Sequence, residues 1–254
     1  MQTDIKENVR KQYSKIAVTG NSDCCCMPGE CGPADTPMQA AAAIGYDNLD
    51  LRSIPEASIL GVGCGAPLNF AHIQEGETVV DLGSGAGIDA FLSANKVGKK
   101  GKVIGIDMTD EMLQKARDNA KRNENYQNIE FRKGDVESDM PVEDSSVDLV
   151  ISNCVINLTT DKVNAFKQVN RILKKGGRMV ISDLVSDIEV KADSINTEKW
   201  CSCIDGALTK DNYLASIRKA GFQNVEVLQE RPYMDGENVD GRQITSLVIR
   251  AVKA

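Results

Sequence analysis

Eight cysteines and a single histidine set the chemistry open to this 254-residue chain. Four thiols, Cys24, Cys25, Cys26 and Cys31, crowd into SDCCCMPGEC. The others come later: Cys64 in GVGCGAP, Cys154 in ISNCVINL, and Cys201 with Cys203 in WCSCIDGAL. Thiolates bind soft atoms, and thiol pairs exchange electrons through disulfides. Structural zinc fits the spacing poorly, because such sites use two close pairs, often with histidine. Here Cys64 and Cys154 stand alone and the C-x-C at 201–203 is tight. No zinc is expected. His72, in NFAHIQEGE, reads as structural rather than as a general base.

A second constellation points to a nucleotide-like ligand. DLGSGAG runs from Asp81 to Gly87, with glycines at Gly83, Gly85 and Gly87. Asp107, followed by Met108, lies 20 residues after Gly87, where a carboxylate can accept from both hydroxyls of a ribose. Asp135 and Val136, in KGDVE, are placed to meet an adenine amino group and ring nitrogen. Asn153, just before Cys154, completes the candidate cofactor set. The dinucleotide fingerprint G-x-G-x-x-G aims a helix N-terminus at a pyrophosphate. Here the spacing is G-x-G-x-G and Asp81 precedes it; a carboxylate there would repel a pyrophosphate but suits a sulfonium ligand with a free amino group. The set resembles the S-adenosylmethionine site of Rossmann-like methyltransferases.

The elements that must hold these residues follow from periodicity. TVVDL (78–82), KVIGID (102–107), NIEFRKGD (128–135), VDLVISN (147–153) and RMVISDL (178–184) read as strands. Helices separate them: one reaching about Val97, one capped by Thr109 or Asp110, and one over 161–173 that Gly176-Gly177 ends. This alternation predicts an α/β fold with a doubly wound, mostly parallel sheet. FQNVEVLQ and QITSLVIRAV are two further strands that bring the sheet to seven, one of them antiparallel. Residues 3–17 form an amphipathic helix, and 186–208 are irregular before a helix at 209–220. Three regions are expected: 1–75 with the first helix and two cysteine-bearing loops, 76–185 as the cofactor-binding core, and 186–254 with a cysteine-bearing insertion and closing strands.

This layout brings thiols from separate loops toward one sheet end. One buried cysteine is ordinary packing; three such loops are harder to assign to it. No residue announces itself as the base that methyl transfer to oxygen or nitrogen usually needs. A trivalent metalloid needs none: As(III) prefers thiolates, takes three sulfurs in a pyramid, and keeps a lone pair on its fourth side. That pair can attack a sulfonium methyl, with binding supplying alignment.

Taken together, VRKQYSKIA, the cysteine-rich loop, GCGAP, DLGSGAG, ISNCVINL and WCSCIDGAL resemble the arsenite S-adenosylmethionine methyltransferases over nearly the whole chain. The resemblance implies arsenite and methylated arsenicals as substrates, stepwise methylation, and reduction between steps by an external thiol or thioredoxin-like reductant. It implies Cys154 and Cys203 as the main arsenic ligands and Cys64 as third ligand and redox partner. A fourth thiol of the family lies in the N-terminal loop, among Cys24, Cys25, Cys26 and Cys31, and Cys201 is an additional thiol of open role. Two other readings are a methyltransferase for a small organic acceptor and a non-catalytic metalloid-binding protein.

The net charge of −7 argues against a nucleic-acid partner. No apolar run approaches the roughly 18 residues that span a bilayer, and the polar start MQTDIKENVRKQY is no secretory signal. A cytoplasmic protein whose thiols are mostly reduced, or transiently oxidised, is expected.

Overall fold

The structure, a computed structural model, describes residues 2–20, 36–191, 193–233 and 236–254. Cys24, Cys25, Cys26 and Cys31 lie outside these residues. Five parallel strands form most of one sheet: β1 (Thr78–Leu82), β2 (Lys102–Asp107), β3 (Ile129–Lys133), β4 (Val147–Asn153) and β5 (Leu173–Ser186). Two long strands extend it beyond β5: β6 (Phe222–Pro232) and β8 (Arg242–Lys253), with β8 antiparallel to both β5 and β6. The order is β3-β2-β1-β4-β5-β8-β6, and the short β7 (Asn238–Val239) pairs with β8.

Alternation along the strands explains the layers. Val79, Val103, Leu149, Ile151, Val180 and Val248 point to one face, against α4 (Ile88–Val97) and α5 (Asp110–Lys121). Their neighbours Val80, Ile104, Val150, Ile181 and Ile249 point to the other, against α6 (Lys162–Ile172) and α8 (Lys210–Lys219). Strands covered on both faces read as the near-continuous apolar runs seen in TVVDL and VDLVISN. The chain winds outward from β1 through β2 to β3, then returns to β4 on β1's other side. That reversal creates a crevice at the carboxyl ends of β1 and β4, the place where open α/β sheets bind ligands.

Three pieces outside the core close over this edge. Helix α1 (Gln2–Thr19) packs Ile16 and Ala17 on Leu60, Ala86 and Met112, while Val9 packs on Trp200 and Cys201. The segment before β1 carries α2 (Pro37–Ala43), capped by the Thr36 hydroxyl, and α3 (Asn48–Arg52), capped by Asp47. The stretch after β5 carries α7 (Thr197–Cys201), capped by Asn196. No described helix is long and apolar enough to cross a membrane.

The pair Gly176-Gly177 does not stop α6, as the sequence suggests. The helix ends at Ile172 and β5 begins at once with Leu173. Gly176 has φ +77° within an exposed stretch where the pairing of β4 with β5 shifts register between Val147 and Leu149. A glycine needed for positive φ serves a bulge as well as a helix end.

Candidate functional site

Gly83 and Gly85, at the end of β1, line a cavity together with Asp107, Met108, Met112, Asp135, Val136 and Asn153. Asp107 is fixed by the backbone: Oδ2 accepts the Gly85 N–H at 2.9 Å and Oδ1 accepts the Thr109 N–H at 2.8 Å. Thr109 occupies the N-cap position of α5, although its side chain makes no capping bond. Each carboxylate oxygen of Asp107 keeps capacity for a further donor, as a ribose diol would provide. Burial raises the Asp107 carboxyl above its usual range, against the pull of these backbone donors.

Asp135 has both oxygens engaged. Oδ1 accepts the Glu137 N–H at 2.9 Å, and Oδ2 accepts Lys6 Nζ of α1 at 2.6 Å. Lys6 also pairs with Glu137 at 2.8 Å. Burial opposes ionisation of Asp135, but the Lys6 bond and its other donors prevail and hold the carboxyl below its usual range. An adenine amino group approaching Asp135 therefore competes with Lys6. Lys6, Val9 and Tyr13 line the cavity, so α1 forms part of its wall.

The cavity continues to Cys154, Val155, Leu158 and Cys203. Cys154 follows β4 directly and has φ +58°; Cys203, after α7, has φ +68°. Left-handed backbone is unfavourable for such residues, costs about 1–3 kcal/mol and persists only where the surroundings enforce it. They do so here. The Cys154 N–H donates to the Ser182 carbonyl at 2.8 Å, the Cys203 N–H to the Trp200 carbonyl at 2.9 Å, and Trp200 Nε1 to the Leu158 carbonyl at 3.1 Å. The Cys203 thiol donates to the Cys154 carbonyl at 3.1 Å. Behind them Arg242 and Asp205 form a buried ion pair at 2.7 Å, and Asp205 also accepts the Asn196 N–H at 2.7 Å.

Cys64 reaches the same place from the GCGAP loop. Its N–H donates to Asn153 Oδ1 at 3.0 Å, and its carbonyl accepts from Ser246 at 2.7 Å and Arg231 at 3.1 Å. Asn153 Nδ2 in turn donates to the Gly65 carbonyl at 2.6 Å and the Tyr46 hydroxyl at 2.9 Å. Tyr46 donates to Asp89, at 2.7 and 2.8 Å from its two oxygens. The Sγ atoms of Cys64 and Cys154 and a carboxylate oxygen of Asp183 lie within 4.8 Å of one another. All four described cysteines are free thiols. Burial pushes the Cys154 thiol well above its usual range, and the Cys203 and Cys64 thiols push it further. The bond with Cys154 pulls Cys203 down, but burial, Asp183 and Cys64 together raise it. Cys154 and Cys203 are therefore neutral thiols near pH 7.

Seven of the nine expected cofactor residues line the cavity: Gly83, Gly85, Asp107, Met108, Asp135, Val136 and Asn153. Asp81 and Gly87 stand behind its surface. Gly87, with φ +104°, is the N-cap of α4, where a Cβ would run into Phe91 and Phe131. Asp81 is 2% exposed and its Oδ2 has no hydrogen-bond partner. Burial, then Asp89 and Asp107, raise its carboxyl well above the usual range. An unsatisfied buried carboxylate oxygen calls for a donor or cation, which the amino group of S-adenosylmethionine offers. The lining and this oxygen fit that group. His72 is exposed before β1, at the opposite end of the strands, where its carbonyl accepts from Arg178 at 3.0 Å. Cys201 is buried against Val9 and Trp200. Sequence reasoning passed over Asp183, although it lies near the end of β5 as Asp107 lies at the end of β2.

A family model for a methyltransferase domain matches residues 73–221, more than half the chain. The chain belongs to this methyltransferase-domain family. It is 42% identical over 237 residues to an arsenite methyltransferase of Halobacterium salinarum, covering 88% of this chain and 59% of that protein. It is 35% identical over 185 residues to an arsenite methyltransferase of Aquipseudomonas alcaligenes, covering 70% of this chain and 53% of that one. The chain thus spans between half and three-fifths of these relatives' length. Among solved structures it resembles an arsenic (III) S-adenosylmethionine methyltransferase from Chlamydomonas reinhardtii, with TM-score 0.68 and 32% identity over 86% of this chain and 74% of that one. The doubly wound, mostly parallel α/β fold expected from the alternating strands and helices is the fold observed, and it is of the class I methyltransferase type.

Two glycines let the cysteine loops of this methyltransferase domain meet the sheet. A Cβ on Gly65 would be driven into the Ser182 hydroxyl, and one on Gly206 into the Asn157 carbonyl oxygen. Gly206→Ala is expected to separate the Cys203 loop from the Cys154 turn and to destabilise the fold by about 1–3 kcal/mol. Urea unfolding checks the stability. The rate at which a thiol reagent labels Cys203 should rise.

Proposed function

We propose that the protein methylates trivalent arsenic with S-adenosylmethionine. The observation carrying this reading is that Cys154 and Cys203 line the same cavity as Gly83, Gly85 and Asp107, with Cys64 behind them. The likeness to arsenite methyltransferases supports it. Bound in the cavity, S-adenosylmethionine supplies a methyl carbon activated by a cationic sulfur.

Thiols suit the first event. Each condenses with one As–OH group: an As–S bond forms, an As–O bond breaks, and the thiol proton leaves in water. Three such exchanges give a neutral trithiolate complex held by Cys64, Cys154 and Cys203. The lone pair of arsenic then attacks the methyl carbon, and the donor's carbon–sulfur bond breaks. No general base is needed, which accords with the exposed position of His72.

Arsenic is then formally pentavalent. A further thiolate attacking an arsenic-bound sulfur forms a disulfide, breaks the As–S bond and returns an electron pair to arsenic. An external thiol or thioredoxin-like reductant reopens the disulfide by exchange. Cys24, Cys25, Cys26 and Cys31 are the candidate thiols of the N-terminal loop. We place this chemistry in the cytoplasm, where thiols stay reduced.

Incubation of the purified protein with S-adenosylmethionine, a thiol and arsenite tests the reading. S-adenosylhomocysteine should form only when arsenite is present; turnover with an organic acceptor alone, or tight arsenite binding without turnover, contradicts it. Cys154→Ser and Cys203→Ser should each abolish arsenite methylation in the same assay. Cys64→Ser should block arsenite while sparing methylarsenite, which needs fewer thiolates; the two initial rates are compared directly. Asp107→Ala should weaken S-adenosylhomocysteine binding by about 1.5–3 kcal/mol, read by calorimetry.

A further inference from the structure

The strand β5 ends in ISDLVS, and Asp183 within it is only 1% exposed. An apolar residue would fit this environment at less expense, since an ionised carboxylate loses its hydration when buried. Its oxygens accept from the Leu184 N–H, the Asn157 N–H and the Tyr213 hydroxyl, each at 3.0 Å. All three donors are neutral. Among the described residues Asp183 has no salt bridge. The buried Lys162 amine exerts a Coulombic pull on it but donates to the carbonyls of Asn157 and Thr159, at 3.4 and 3.2 Å. One Asp183 oxygen lies within 4.8 Å of the Cys64 and Cys154 sulfurs. Burial opposes ionisation, but three donors aimed at its two oxygens are the hydrogen-bond pattern of a carboxylate and favour the charged form.

We propose that Asp183 is the electrostatic partner of the arsenic centre, a fixed negative charge that stabilises the positive charge arriving there during methyl transfer. This rests on the arsenic-methylating reading above. Before transfer, the trithiolate complex is neutral and the cation is the sulfonium. During transfer the arsenic lone pair becomes the As–C bond, and the electrons of the sulfur–carbon bond stay on sulfur. The donor leaves as a neutral thioether and the methylated arsenic carries one positive charge. A carboxylate beside the thiol cluster interacts more strongly with that charge than with the neutral complex before it. Only interactions that strengthen toward the transition state raise the rate of the chemical step. The surrounding hydrogen bonds hold the charge in place beforehand, which is what makes such stabilisation effective. Asp183 is thus a positioning residue for charge rather than an arsenic ligand.

Asp183→Asn removes the charge and keeps one carbonyl oxygen, which can still accept from the Asn157 N–H and the Tyr213 hydroxyl at the expense of the Leu184 N–H bond. Methyl transfer is measured in a single turnover on enzyme loaded with arsenite and S-adenosylmethionine. Arsenite affinity is measured separately through Trp200, the chain's only tryptophan. The methyl-transfer rate should fall ~10²-fold, the size of effect seen on removing one preorganised electrostatic group. Arsenite affinity should change less than about threefold, as expected for an interaction made in the transition state alone. An unchanged rate, or affinity falling in step with the rate, overturns the proposal. Tyr213→Phe removes one hydrogen bond to Asp183 and leaves the charge; a loss equal to that of Asp183→Asn would assign the effect to scaffolding and also overturn it. Should the Asn variant not fold, Asp183→Ser, which leaves room for water at the same donors, takes its place with the same criteria. Absence of arsenite-dependent transfer by the unaltered protein overturns the functional reading and this proposal together. Normal transfer by both the unaltered protein and the Asp183 variant overturns this proposal alone.

Discussion

The thiol of Cys203 donates to the carbonyl of Cys154 at 3.1 Å, joining segments 49 residues apart. Much of the candidate site depends on that junction. Both cysteines have left-handed backbone, with φ of +68° and +58°. Neither conformation is favourable in isolation, so each must be imposed by the packing around it. The Ser182 carbonyl imposes it on Cys154 from the neighbouring strand, and the capped turn of α7 imposes it on Cys203. The Arg242–Asp205 pair fixes the second loop against β8. Strain held by rigid elements at a cavity wall is the pattern expected where side chains must converge.

A second chain of contacts links the thiols to the glycine-rich turn. Asn153 accepts from the Cys64 backbone and donates to Tyr46, whose hydroxyl donates to Asp89 beside Asp81. Asp89 is raised by burial to about 6, and Asp81 is raised further by burial with help from its neighbours. The cofactor side of the cavity therefore has the unpartnered Asp81 oxygen behind it, and the far side holds the Cys154 and Cys203 thiols with Asp183 beside Cys64 and Cys154. On the proposed reading the Asp81 oxygen faces the amino group of the cationic donor at one end, and the thiols hold the acceptor at the other. Helix α1 spans both ends, with Lys6 on Asp135 and the Tyr13 hydroxyl donating to the Cys201 carbonyl at 3.4 Å.

Much of this was legible in the sequence, for identifiable reasons. TVVDL, KVIGID and VDLVISN match β1, β2 and β4 to the residue because strands covered on both faces must be apolar throughout. Asp107 was legible because a carboxylate at the end of a central strand has few structural reasons to be there. Convergence of the cysteines was legible only through the combination of motifs, since no local pattern tells how distant loops meet. Gly176-Gly177 misled because glycine announces positive φ without saying whether a helix end or a bulge uses it. Asp183 escaped because ISDL reads as the end of an ordinary buried strand; its proximity to Cys64 comes from the GCGAP loop folding back over β5. Lys6 escaped because an amphipathic helix shows which face is buried, not which carboxylates that face will meet.

The central claim is that thiols from three loops converge on one soft atom beside the methyl donor. X-ray absorption at the arsenic edge, on the protein loaded with arsenite and S-adenosylhomocysteine, examines it directly. The account predicts a first shell of three sulfurs that drops to two in Cys64→Ser, Cys154→Ser or Cys203→Ser. A shell dominated by oxygen, or one with three sulfurs in every one of these variants, would contradict it.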